Sequence, residues 1–234
     1  MKLTDRTGES NGEEDAMKFE KLRLIEENQP RSAAENMAVD EVLLSTADYP
    51  ILRSYSWIRP SVSFGYFSAW KAVVSQYPER DLVRRWTGGG IVEHGEDFTY
   101  SLVLPGGRSV PATGEIYRFV HLAVEHLLRT NGYAVEMALH PDLVRSGACF
   151  EKAVEFDLKL QGAKIAGAAI RRTRKGLLLQ GSIQRLKVPE RFCEMLAGAL
   201  GEQVDVFTLS DVTMEKAARI AKEKYAAAEW NCRL

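Results

Sequence analysis

Arg84-Arg85-Trp86-Thr87-Gly88-Gly89-Gly90-Ile91-Val92-Glu93-His94 is the stretch from which this chain is best read. Glycine loses the most backbone freedom on folding and adds no packing side chain, so three in a row mark a place where the chain turns sharply or something approaches its backbone closely. Two cations and a hydroxyl precede the triplet, and an alternating segment ending in His94 follows it. Successive backbone N–H groups in such a loop can form an anion-binding concavity, to which a guanidinium adds a bidentate donor. The stretch is therefore a candidate loop for a carboxylate or phosphate. A glycine-rich hairpin with its arginines in solvent is the plainer alternative.

Outward from that loop, short alternating runs flank it. Lys18–Glu26, Leu52–Trp57, Ser61–Phe64, Ile91–His94 and Thr99–Leu104 read as strands, with turns at Arg59-Pro60 and Gly95-Glu96-Asp97. Further strands are expected at Met137–His140, Asp157–Gln161, Lys164–Ala168 and Gly176–Gln184. Ser32 is placed to cap a helix reaching Leu44, and Ile116–Asn131 carries an apolar stripe that ends at Asn131-Gly132. Two helices, Glu190–Leu200 and Thr213–Ala228, close the chain. Strands and helices mix without regular βαβ alternation, which predicts an α+β fold. Residues 1–16, polar and acidic, read as a disordered leader, and 17–234 as one domain.

A net charge of −1 argues against a general nucleic-acid binder, since no basic excess exists to release counterions. No apolar run approaches the length of a membrane span. Cys149, Cys193 and Cys232 are too widely spaced for a disulfide framework, and no zinc-type spacing is present, so no metal site is expected. A cytoplasmic, reducing location follows from that cysteine usage. Neither a dinucleotide fingerprint nor a P-loop occurs.

Four blocks taken together resemble the biotin/lipoate protein ligase A/B superfamily. They are Glu35-Asn36-Met37-Ala38-Val39-Asp40-Glu41; Trp57, Pro60, Ser63 and Gly65; the glycine stretch with Thr99-Tyr100-Ser101-Leu102; and Asp157-Leu158, Gly162-Ala163-Lys164-Ile165-Ala166-Gly167 with Gly181-Ser182-Ile183. The resemblance implies a mixed, largely antiparallel sheet with packed helices, of the class II biotin/lipoyl synthetase type. It implies attachment of octanoyl or lipoyl groups to a lysine of a lipoyl-acceptor protein, either the glycine cleavage H protein or a 2-oxoacid dehydrogenase E2. It also leaves no room at Leu234 for the C-terminal accessory domain of larger ligases.

Within that resemblance Lys164 holds the position of the family's catalytic lysine, whose ammonium would stabilise charge developing on the acyl oxygen. Cys149, in a Cys-Phe pair 15 residues earlier, resembles the nucleophile of the family's octanoyltransferases and amidotransferases. Arg85, Thr87, Gly88, Gly89, Gly90 and His94 match the ligand loop. Ser63, Gly65, Gly167 and Gly181 are expected around the substrate, with Trp57 and Tyr66 as pocket wall. Asp40 reads as a cap or ion-pair partner, and Cys193 and Cys232 as structural or incidental.

A cysteine-dependent transferase would need no cofactor and would take its acyl group from an acyl carrier protein or a lipoylated donor domain. The alternatives are a small ATP- and magnesium-dependent lipoate–protein ligase working through lipoyl-AMP, and a non-catalytic acyl-binding homologue. Two departures from the family pattern, Gln180 where a histidine is common and Ile170 where a glutamine is common, are expected to remove polar groups near the site.

Overall fold

A computed structural model describes residues 17–107, 110–141 and 153–233. Two sheets organise them. The larger has eight strands in the order β11 (Gly201–Val206), β1 (Phe19–Glu26), β2 (Ile51–Tyr55), β6 (Phe98–Pro105), β10 (Gly176–Ile183), β9 (Ala163–Thr173), β8 (Leu158–Leu160), β7 (Val135–Met137). Only the β1–β11 and β1–β2 pairs are parallel, and every other neighbour is antiparallel. The smaller sheet sets β3 (Ser61–Phe64) between β4 (Asp81–Arg84) and β5 (Ile91–His94). The expected α+β class and largely antiparallel sheet are both present.

Period-two alternation decides what each face of the large sheet carries. Leu52, Tyr100, Leu102, Leu177 and Leu179 enter one core with Ile116, Val120, Val124 and Leu128 of α3 (Thr113–Thr130) and Leu196 and Leu200 of α4 (Phe192–Leu200). The intervening Ile51, Val103 and Leu178 meet α1 (Ala33–Thr46) on the other face. Ser32 caps α1 as anticipated: its Oγ accepts from the Glu35 N–H, and its own N–H donates to the Glu35 carboxylate at 3.0 Å. Gly132, at φ +88°, follows the end of α3.

α1 is buried nearly all round because it lies between the sheet and α5 (Asp211–Ile220), and so it brings polar residues into the interior. Arg53 and Asp40, both fully buried, pair at 2.7 Å. The remaining guanidinium donors go to Glu27, the Asn36 carbonyl and Asn36 Oδ1, which uses the planar fork completely. Tyr55 lies under it, 4.0 Å from ring centre to guanidinium. Asp40 thus has the ion-pair role expected of it.

The structure adds elements that the sequence did not lead one to expect and corrects two that it did. Trp70–Gln76 is a helix, α2, whose Val73 packs with Val62 and Phe64 behind the small sheet. Gly201–Val206 is an edge strand beside β1, which its exposed polar residues disguised. The expected strand at Met137–His140 lies earlier, at Val135–Met137, where the buried Val135 faces the core. The last helix is not continuous: α5 gives way to a π-helical turn at Ala221–Tyr225, and a short α6 (Ala228–Asn231) follows. That break lets Asn231 and Trp230 hydrogen-bond to Arg84.

Replacing Arg53 with Met leaves the buried carboxylate of Asp40 without its cation, while Glu27 keeps Arg31, and urea denaturation should show a loss of about 3–5 kcal/mol. A second prediction concerns His121, fully buried on α3 with its Nε2 lacking a hydrogen-bond partner among the described residues. Burial pushes this imidazole down to about 4, against the nearby Asp157 carboxylate, which favours its charge. The unfolded state therefore binds a proton near pH 6.5 that the folded state refuses, so stability falls as pH drops from 6.5 toward 4. Between pH 7 and 4.5, His121→Phe should gain about 2 kcal/mol on the wild type in parallel urea titrations.

Candidate functional site

The glycine loop joins β4 to β5, and its geometry follows from close backbone contact. Gly89 takes φ +84°, and a Cβ on Gly65 would stand 1.9 Å from the Gly89 carbonyl oxygen. Only glycine at position 65 lets the loop lie across β3's end, where Gly65 N–H meets the Gly90 carbonyl and Tyr66 N–H that of Thr87. Both arginines are buried and brace this arrangement. Arg85 donates to the carbonyls of Gly88 and Gly90 at 2.8 Å, and to the Ser63 carbonyl and Oγ. Arg84 donates to the carbonyls of Tyr66, Ser68 and Asn231. These contacts give the guanidiniums a role that the sequence reading missed: they fasten the loop to its surroundings.

Thr87 passes the loop's position inward. Its hydroxyl donates to Gln180 Oε1 at 2.8 Å, and Gln180 Nε2 donates to Asp40 Oδ2 at 2.7 Å. The expectation that Gln180 subtracts a polar group is therefore corrected: its amide carries both a donor and an acceptor into the contact. Ile170 pairs with Leu179 and packs against the α3 core, so no polar partner is wanted there.

Lys164 owes its direction to an irregularity in β9. Leu158 pairs with Ala166, yet the next residue, Lys159, pairs with Lys164, so Ile165 is an extra residue and the strand's alternation slips by one. The Lys164 side chain consequently crosses Gly167, where a Cβ would lie 2.6 Å from its Cε. Its ammonium meets Asp157 Oδ2 at 2.8 Å, with both side chains buried. Asp157 also accepts from the Tyr117 hydroxyl at 2.5 Å and the Val154 N–H at 2.6 Å. Burial and the Asp157 charge hold the Tyr117 phenol well above its ordinary range, so it stays a donor. Gly181 is explained from the opposite face, where a Cβ would meet the Tyr100 ring at 2.3 Å.

His94 stacks on Trp57, with ring centres 4.0 Å apart and planes 17° from parallel. Its Nε2 lies 2.7 Å from Ser63 Oγ and its Nδ1 2.8 Å from Asp97 Oδ2. Burial opposes the Asp97 charge, but the ring and the hydroxyls of Ser182 and Thr99 outweigh it and hold the carboxyl below its usual range.

These groups meet at one small cavity of about 30 Å³, room for about one water molecule. Ser63, Arg85, His94, Lys164, Gly167 and Gly181 line it as expected, as does Trp57. Thr87, Gly65, the glycine triplet and Tyr66 are not among its lining residues. Trp57 and His94 also border an open groove of about 1080 Å³ that reaches the surface. Cys149 lies outside the described residues. Cys193 is buried, and burial pushes its thiol up to about 12, which fits its structural reading. Among the described residues no group of three His, Cys, Asp or Glu could hold a metal ion, and no helix is long and apolar enough to cross a membrane. Asp97, Asp157 and Tyr117 were not assigned site roles from sequence. An acid three residues after a strand histidine was the one available sign of Asp97.

Comparison with known proteins places the fold and the family. The octanoyltransferase LipM of Oceanobacillus iheyensis is 35% identical over 168 residues, covering 67% of this chain and 62% of that protein. LipM of Brevibacillus brevis is 28% identical, covering 86% of this chain and 95% of that one. The chain thus spans less than two thirds of the first relative's length and nearly all of the second's. A protein of T. acidophilum solved with bound lipoic acid shares the fold at a TM-score of 0.70 and 22% identity, covering 93% of this chain and all of that one. Lipoate-protein ligase A solved with ATP does so at 0.68 and 23%, covering 92% and 99%. Residues 32–186 match the lipoyl protein ligase A/B catalytic domain, and the chain belongs to that family.

Proposed function

We propose that this protein transfers an octanoyl or lipoyl group, through a thioester on Cys149, to a lysine of a lipoyl-acceptor domain. The observation that carries the reading is the Lys164 ammonium, turned by the β9 bulge onto the cavity wall and held there by Asp157. A fixed cation on the wall of a small cavity stabilises an acyl oxygen as it gains charge, without reorganising when it does so. The similarity to two LipM octanoyltransferases supports octanoyl as the group carried.

The chemistry has two displacements. The Cys149 thiolate attacks the donor thioester carbonyl, a new S–C bond forms, and the donor's thiolate leaves. The acceptor amine then attacks the Cys149 thioester, the N–C bond forms, the C–S bond breaks, and the amine's proton leaves with a base. An acyl carrier protein or a lipoylated domain supplies the first thioester, and the H protein or an E2 domain supplies the amine. Neither displacement consumes a nucleotide.

Incubation with octanoyl-loaded carrier protein should add the mass of one octanoyl group to a peptide containing Cys149. Cys149→Ala should abolish the adduct, and Lys164→Ala should slow its formation by about 100-fold or more in rapid-quench assays. Acceptor modification that requires ATP and persists in Cys149→Ala would overturn the transfer reading in favour of the ligase.

A further inference from the structure

We propose that Asp97 is a positioning residue that sets His94 as the proton acceptor for the attacking amine, with the Ser63 hydroxyl carrying the proton between them. The inference rests on the transfer reading above, since it assigns the base that the second displacement requires.

The direction of the hydrogen-bond chain follows from what each group can do. The Asp97 carboxylate only accepts when ionised, and its burial is offset by bonds from Ser182 Oγ at 2.6 Å, Thr99 Oγ1 at 2.7 Å and Gly95 N–H at 3.1 Å. The His94 nitrogen beside it, Nδ1 at 2.8 Å, must therefore carry a proton. In the neutral ring that leaves Nε2 as the acceptor, and it faces Ser63 Oγ at 2.7 Å. Arg85 can only donate, and its Nη1 lies 3.1 Å from the same Oγ. Ser63 thus accepts from Arg85 and gives its own proton to His94. The order Arg85, Ser63, His94, Asp97 runs one way.

Two further contacts fix the ring. Trp57 stacks on it, and the Trp57 indole N–H donates to Thr99 Oγ1 at 2.9 Å, which leaves the Thr99 hydroxyl to donate to Asp97. Ser63 occupies the hydrogen-bonding direction of Nε2, so a proton reaches the ring by way of its hydroxyl. Ser63 and His94 line the same cavity as Lys164.

In the second displacement the amine nitrogen bonds to the acyl carbon and passes its proton to Ser63 Oγ, while the Ser63 proton passes to His94 Nε2. The imidazolium is stabilised by Asp97. As the C–S bond breaks, the sulfur leaves as the thiolate, and the imidazolium gives its proton up to solvent. No atom or charge is left over.

The test combines a spectrum with a split between the two displacements. In the wild type, ¹⁵N-resolved NMR of His94, assigned with His94→Gln, should show the neutral ring protonated at Nδ1. Asp97→Asn can turn an amide N–H toward Nδ1, and the proton should then move to Nε2. The same variant should slow discharge of the acyl-enzyme to acceptor by about 100-fold or more while Cys149 acylation changes less than about tenfold. Ser63→Ala, which leaves Asp97 untouched, should reproduce the slow discharge with the Nδ1 proton retained. A wild-type ring protonated at Nε2 would overturn the proposal, as would discharge at the wild-type rate in both variants. Failure of the wild type to form any Cys149 adduct would instead count against the transfer reading, and the NMR spectrum would still decide the role of Asp97.

Discussion

Everything around the cavity hangs on a charge pair that has no access to water. Asp40 on α1 and Arg53 on β2 are fully buried, and each would be costly alone. Together they are tolerated because every donor of the guanidinium and both oxygens of the carboxylate have partners. Asp40 Oδ1 takes Arg53 and Ser101, and Oδ2 takes Gln180 and Tyr55. From there the chain of contacts runs through Gln180 to Thr87, and so to the glycine loop that lies against β3. The loop's position is thereby referred to the centre of the large sheet.

The two sheets meet at the site, and that is why it forms there. β5 and β6 are joined by a short turn, Gly95-Glu96-Asp97, so the end of the small sheet is tied to the middle of the large one. Asp97 bonds to His94 on one side of this joint and to Thr99 and Ser182 on the other. On the far strands, the β9 bulge and the absence of side chains at Gly167 let Lys164 reach the same place. Rigid strands carry these groups, which suits a site that must hold charge and hydrogen-bond donors in fixed directions.

Much of this was legible in the residues because the signals were local. Ser32 with Glu35, the Asn131-Gly132 stop and the alternation of β6 and β10 each state their structure within a few positions. The glycine triplet, Lys164, His94, Gly167 and Gly181 were identified through family resemblance, and the structure gathers Lys164, His94 and both of those glycines on one cavity. What escaped the sequence reading depends on contacts made at long range. Arg85 looks like an anion donor until its guanidinium is seen on the carbonyls of Gly88 and Gly90. Gln180 looks like a loss until Thr87 and Asp40 are found on either side of its amide. The break after Ile220 has no signal at all within a run of good helix formers.

Two buried carboxylates that hold lining residues of this cavity do different work because they have different partners. Asp157 pairs with an ammonium and a phenol, so its effect is to fix a positive charge where an acyl oxygen would develop a negative one. Asp97 pairs with an imidazole, a ring with two distinct nitrogens, so its effect is to choose which of them carries the proton and which accepts. Acyl transfer to an amine requires both at once: charge stabilised on oxygen and a proton removed from nitrogen. The separation of Asp157 on the β8 side from Asp97 on the β5–β6 turn is the structural form of that division.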